Sequence, residues 1–111
     1  MPEAQTIVWP GQSGNEYKYW IYGIDASFKE VAGNYIFAKE TSPGRFRPIY
    51  MGQTANLGTR LENHEKEECA RRNGATHVHA HINPSGEKAR KAEEEDLIHR
   101  WQPVCNEQHV D

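Results

Sequence analysis

Two stretches in the middle of the chain carry apolar and aromatic residues in the manner of strands, GNYIFAKE at 33–40 and FRPIYMGQT at 46–54. Between them TSPGR supplies the Pro and Gly of a hairpin connection, so the two are expected to pair antiparallel. From Asn56 to Arg72 Leu57 and Leu61 recur at helical spacing, with Asn56 or Thr54 as N-cap and Asn73-Gly74 as a stop, which predicts one helix. ATHVHAHI at 75–82 alternates strictly, Val78, Ala80 and Ile82 on one face and His77, His79 and His81 on the other, the period of a third strand. After the turn NPSGE, Ala89, Ala92, Leu97, Ile98 and Trp101 mark a second helix from about Ser85 to Trp101, which Pro103 prevents from continuing. Residues 1–15, rich in Gly, Pro, Gln and Ser without an apolar period, read as a flexible tail. EYKYWIYGI at 16–24 reads as a strand or apolar patch, followed by DASFKEV as a short turn or helix capped by Asp25. The expected order is β-β-α-β-α, an α+β domain with a small three-stranded antiparallel sheet flanked by helices, in one unit spanning 16–111.

A chain of 111 residues with 36% apolar content suits one compact domain with a modest core and leaves no room for a second. No apolar run approaches the roughly 20 residues that cross a bilayer, and the N-terminus lacks a basic flank and a signal-type apolar core, so a cytoplasmic protein without a membrane partner is expected. Cys69 and Cys105 are too few for a disulfide framework and lack zinc-ribbon spacing, and are expected to be free thiols. The net charge of −3, from 13 basic and 16 acidic residues, argues against strong sequence-independent affinity for a polyanion; a local cluster of Arg and Lys would have to set the field at any phosphate.

Taken singly, the polar residues say little. Tyr35 and Tyr50 on strands read first as half-buried core tyrosines. Arg60 and His64, four apart on the first expected helix, share a face, yet exposed helix charges usually do nothing chemical. Glu93, Glu94, Glu95 and Asp96 point around most of the second helix, so at most one or two face a site. His77, His79 and His81 could ligate a transition metal, but no carboxylate or cysteine is placed to complete a shell, and a solvated or helix-covered strand face is the better reading. Tyr17, Tyr19, Trp20 and Tyr22 could stack on bases, with a packed N-terminal element or a dimer contact the better reading.

Read together, the residues form an ordered set. Gly33-Asn34-Tyr35 on the first strand is followed by Tyr50-Met51-Gly52 on the second, Arg60 lies ten positions after Tyr50, His64 one helical turn later, Glu94 on the last helix, and Asn106 shortly after Pro103. In this the chain resembles the GIY-YIG nuclease family over about residues 33–106, and the string EEDLIHRWQPVCN is similar to the corresponding segment of its nucleotide-excision-repair members, a register that selects Glu94 as the metal glutamate. Asn34 and Met51 replace branched apolar residues at the motif centres, and Gln53 stands where many relatives have a lysine. The resemblance implies a metal-dependent endonuclease that hydrolyses DNA phosphodiester bonds. In it Tyr50 acts as general base, Arg60 stabilises the phosphoryl group, and Glu94 holds Mg²⁺ or Mn²⁺. Tyr35 and His64 support proton transfer and positioning, Asn106 orders the site, and Gly33 and Gly52 serve as motif glycines. DNA binding is then expected to be weak or assisted by a protein targeting partner. The competing readings are a catalytically silent module that binds nucleic acid or protein, which the acidic balance would suit, and, more remotely, a histidine-rich metal-binding protein.

Overall fold

The computed structural model of the chain describes residues 5–62 and 64–109. Strands β1 (Thr6–Pro10), β2 (Glu16–Gly23), β3 (Gly33–Ser42), β4 (Arg45–Thr54) and β5 (His77–Ile82) form one antiparallel sheet in the order β1-β2-β5-β3-β4. The β3–β4 hairpin is the expected one, and Gly44, at a φ of +80°, supplies the left-handed residue its turn requires. The α+β class holds, but the sheet has five strands instead of three. Part of the expected flexible tail is in fact β1. Its five residues are too few to show a period, and what holds them lies far along the chain: Trp9 Nε1 donates to His79 Nδ1 at 3.0 Å, and the Trp9 ring meets Trp101 edge-on at 5.1 Å. Residues 1–4 lie outside the described residues.

Each face of the sheet carries its own core. Tyr35, Phe37, Tyr50, Val78 and Ala80 pack with Leu57, Ala70 and Cys105 on one face; Trp9, Tyr19, Ile36, Ala38 and Met51 pack with Leu97 on the other. The first face is covered by two short helices, α1 (Leu57–Glu62) and α2 (Glu67–Arg72), where the leucine spacing predicts a single helix from Asn56 to Arg72. The interruption falls at His64, whose Nδ1 accepts the backbone N–H of Lys66 at 2.8 Å while its carbonyl accepts that of Glu67. Such local bonds compete with the helical ladder, and here they let the imidazole turn inward. Asn56 caps α1 through its Oδ1, which accepts the Thr59 N–H at 3.0 Å.

Helix α3 (Glu87–Trp101) lies on the second face and ends at Gln102, which adopts a left-handed conformation just before Pro103. Its buried residues are Arg90, Glu93 and Leu97, whereas Ala92, one of the positions that mark it as a helix, is exposed. A 3-10 helix, Val104–His109, closes the described chain. Cys69 of α2 and Cys105 of this turn are joined in a disulfide across 36 residues, so the expectation of two free thiols is overturned by a contact that only the fold creates. No helix among the described residues is long and apolar enough to cross a membrane.

Candidate active site

The pairing of β3 with β4 places the motif residues opposite one another. Tyr35 pairs with Gly52 and Phe37 with Tyr50, so Tyr35, Phe37 and Tyr50 project from one face of the sheet. Gly52 is required by this arrangement: a Cβ there would lie 2.5 Å from Tyr35 Oη and 3.0 Å from the Tyr50 ring, because the two phenols close over the bare backbone. Gly33 answers to a different neighbour, with Leu57 Cδ1 at 2.6 Å and the His81 carbonyl at 2.4 Å from the place a Cβ would take. Gly52→Ala is therefore expected to displace Tyr35 and to cost about 1–3 kcal/mol in urea unfolding, the ordinary cost of overpacking. An unchanged midpoint would show that the phenols have room to give.

His64 is buried between the rings of Tyr35, Phe37 and Tyr50, at centroid distances of 5.3, 5.2 and 5.2 Å. Because its Nδ1 accepts the Lys66 N–H, the neutral imidazole carries its proton on Nε2 and donates it to Tyr35 Oη at 2.5 Å. Burial, aided by Arg60 and Lys66, lowers the His64 pKa from 6.5 to about 4, so the ring is neutral near pH 7 and holds Tyr35 in place as a donor. Burial, followed by the charge of Tyr50, holds Tyr35 itself well above the ordinary tyrosine range.

Arg60 of α1 and Glu94 of α3 complete the group. Burial and then Glu94 raise the Tyr50 phenol above its usual pKa, while the Arg60 guanidinium pulls it down, and the same two charges act on Tyr35 in the same senses. Both charged groups therefore lie within electrostatic reach of both phenols. Arg60 also faces the exposed Glu65 at 3.6 Å, a loose pair, and hydrogen bonding from its guanidinium helps pull both phenols down. Glu94 is half-buried and has no hydrogen bond or ion pair among the described residues. Burial and then the neighbouring Glu95 push its pKa up to about 7, against the weaker opposing pull of Lys91.

An uncompensated carboxylate of this kind fits a hard divalent cation. No group of three or more His, Cys, Asp or Glu that could hold a metal occurs among the described residues, so an ion here would rest on Glu94 with water and substrate oxygens, a shell that Mg²⁺ accepts readily.

Asn106 stands apart from the phenols. Its Oδ1 accepts the Met51 N–H at 2.8 Å and its Nδ2 donates to the Met51 carbonyl at 3.0 Å, which fixes β4 one residue beyond Tyr50. Glu93, next to Glu94 in the acidic run, has a different environment. Its Oε2 accepts from Tyr19 Oη at 2.7 Å and from His81 Nε2 at 2.8 Å, and its Oε1 accepts from Asn83 Nδ2 at 3.2 Å. The network continues through Asn34 to Arg90, whose Nε donates to Gln53 Oε1 at 3.0 Å. None of these partners is visible in the spacing of the acidic run; the alternation of His81 onto the α3 side of its strand is the one available signal.

The three histidines are dispersed among separate partners. His77 Nδ1 meets Thr76 Oγ1, His81 meets Glu93, and His79 is fully buried against Trp9 and Phe46 with no partner for its Nε2 among the described residues. Burial, with a smaller contribution from His77, lowers the His79 pKa from 6.5 to about 4. For His64 and His79 alike the unfolded chain binds a proton near pH 6.5 and the folded chain only near pH 4. The stability they support is thus complete above about pH 6.5 and falls away between the two values, by about 3 kcal/mol for each ring. Thermal unfolding followed from pH 7.5 to 4.5 should show this loss, and His79→Gln, which keeps an acceptor for Trp9, should make it shallower; parallel curves for the two proteins would remove His79 as a contributor.

Solved structures bear on this arrangement. The GIY-YIG N-terminal endonuclease domain of UvrC from Thermotoga maritima, in two crystal structures of point mutants bound to its catalytic divalent cation, matches with a TM-score of 0.55 in each. The identities are 26% and 28%, and the matches cover 69% and 70% of this chain and 83% and 84% of that one. No protein-family model and no curated protein sequence matches the chain. With an antiparallel sheet, flanking helices and the two motif strands paired at one side of it, this chain has the GIY-YIG fold and is similar to the endonuclease domain of UvrC.

Proposed function

We propose that this domain is a metal-dependent endonuclease that hydrolyses DNA phosphodiester bonds. The observation that carries the reading is that a guanidinium and a carboxylate with no hydrogen bond or ion pair among the described residues act together on two buried phenols. Phosphodiester hydrolysis needs an oriented, deprotonated water and positive charge on a crowded anionic phosphoryl group. Arg60 presents a planar guanidinium that can take two phosphate oxygens at once. Glu94 would hold Mg²⁺ or Mn²⁺, which when bound supplies positive charge at the leaving oxygen. With the Glu94 charge compensated in that way, the Arg60 cation is left as a main influence on Tyr50 and favours its phenolate, which then accepts the proton of the attacking water. Tyr35, held by His64, orients the water or a phosphate oxygen. Asn106 keeps the Tyr50 backbone in register. The net charge of −3 makes affinity for DNA modest, which suits a protein partner that delivers the substrate.

The test is cleavage of labelled single-stranded, duplex, nicked and branched DNAs with Mg²⁺ or Mn²⁺, with EDTA and Glu94→Gln as controls. Cutting that requires the ion and vanishes in the variant is the expected result. Failure to cut any substrate with either ion would favour a silent nucleic-acid or protein-binding module. The variant also carries a second signature. Because folding raises the Glu94 pKa, its ionisation costs stability as pH rises from about 4.5 to about 7, so Glu94→Gln should melt higher than wild type at pH 8 and not at pH 4.5.

A further inference from the structure

The pairing register puts more than the catalytic tyrosines on their face of the sheet. Trp20 pairs with Ala80, Ala80 with Tyr35, and Tyr35 with Gly52, while Tyr22 pairs with Val78, Val78 with Phe37, and Phe37 with Tyr50. Two adjacent rungs therefore run from β2 to β4 on one side of the sheet, one carrying aromatic residues on β2 and β3 and the other on β2, β3 and β4. With strands about 4.8 Å apart, Trp20 stands about 10 Å from Tyr35 and Tyr22 about 14 Å from Tyr50. At the β4 end the rings are covered by α1, α2 and His64. At the β2 end they are not: Trp20 and Tyr22 are 37% and 39% exposed, beside Val8 and Ile82 at 50% and 58%.

The chemistry of this uncovered surface narrows its occupant. Lys18 sits over the Trp20 ring at 5.4 Å from its centroid. Lys29, exposed in the segment between β2 and β3, lines a shallow cavity of about 300 Å³ with Tyr22, Phe28, Leu57 and Ile82. Neither lysine has an ion pair among the described residues. Two flat rings spaced along a strand, each with a free cation at hand, provide faces for bases and charges for the phosphates between them. Resting on the nuclease reading above, we propose that the open face of β1–β2 is a stacking platform for a single-stranded segment of the nucleic acid, which continues along the two rungs toward Tyr35 and Tyr50. The substrate class is then DNA with a single-stranded portion, at an end, a flap or a branch, on the β2 side of the scissile phosphate.

The test is fluorescence anisotropy with labelled oligo-dT and a labelled blunt duplex in EDTA, where nothing is cut, for wild type, Trp20→Leu, Tyr22→Leu and Trp20→Phe. Leucine keeps apolar bulk and removes the ring face. Wild type should prefer the single strand, each leucine variant should lose about tenfold in affinity for it, and Trp20→Phe should keep most of it. Unchanged binding in both leucine variants, or no preference for the single strand in wild type, overturns the platform. So does a wild-type dimer in sedimentation that Trp20→Leu dissociates without changing DNA affinity, which would assign the face to a second copy. Cleavage by wild type but not Glu94→Gln judges the nuclease reading separately: the platform can fail while cutting persists, and ring-dependent binding can persist where nothing is cut.

Discussion

Tyr50→Phe is expected to lower the rate of DNA cleavage about a thousandfold while leaving the fold almost untouched, since loss of a general base typically costs 10²–10⁴ in rate. The pairing of effects follows from the geometry. The Tyr50 ring is part of the core, and phenylalanine retains that packing; the partner its hydroxyl gives up is Arg60, whose partly exposed guanidinium can turn to water. What it does remove is the oxygen on which the opposing charges of Arg60 and Glu94 converge. Single-turnover kinetics at saturating enzyme isolates this step from binding. A loss below about tenfold would place the proton acceptor elsewhere in the site. Tyr35→Phe offers the contrast, because it also abolishes the bond from His64 Nε2 and should reduce both rate and melting temperature.

The largest expected effect on stability comes from Glu93, the residue beside Glu94. Glu93→Ala removes the acceptor shared by Tyr19, His81 and Asn83, of which Tyr19 is completely buried and cannot turn to water. Deleting one partner of a buried, hydrogen-bonded charged group costs about 3–5 kcal/mol. In a chain of this size that corresponds to a fall in melting temperature of roughly 15 °C or more. Differential scanning calorimetry reads it directly. A fall of only a few degrees would mean that water replaces the carboxylate, and that the network is less closed than its distances imply. The neighbouring Glu94→Gln should act in the opposite direction on stability, so two adjacent glutamates of one acidic run separate cleanly into scaffold and chemistry.

That separation also marks the boundary of what the sequence made legible. The hairpin of β3 and β4, strand β5 and the last helix carry strong local signals: turn residues, alternation, and a proline stop. Tyr35, Tyr50, Arg60, His64 and Glu94 were accessible only as an ordered set, because each alone resembles an ordinary core or surface residue. What was illegible depends on contacts between distant segments. Strand β1 is held by Trp9 against His79 and Trp101; the single expected helix is broken by an inward histidine whose ring competes with the backbone; the buried side of α3 is built from Arg90 and Glu93, which a search for aliphatic spacing passes over. Cys69 and Cys105 lie 36 residues apart with nothing between them to announce the bond.

The clamp of Asn106 on Met51 has a consequence beyond the site. Strand β4 is the outer strand of the sheet, and its free side offers backbone donors and acceptors that another extended chain could pair with. The Asn106 side chain satisfies the Met51 donor and acceptor as a fragment of a sixth strand would, and so terminates the ladder there. At the opposite margin β1 is five residues long and ends in Pro10, which has no N–H to offer. Each margin of the sheet is thus interrupted at one point, which disfavours self-association by edge-to-edge strand addition there even though the sheet itself is open.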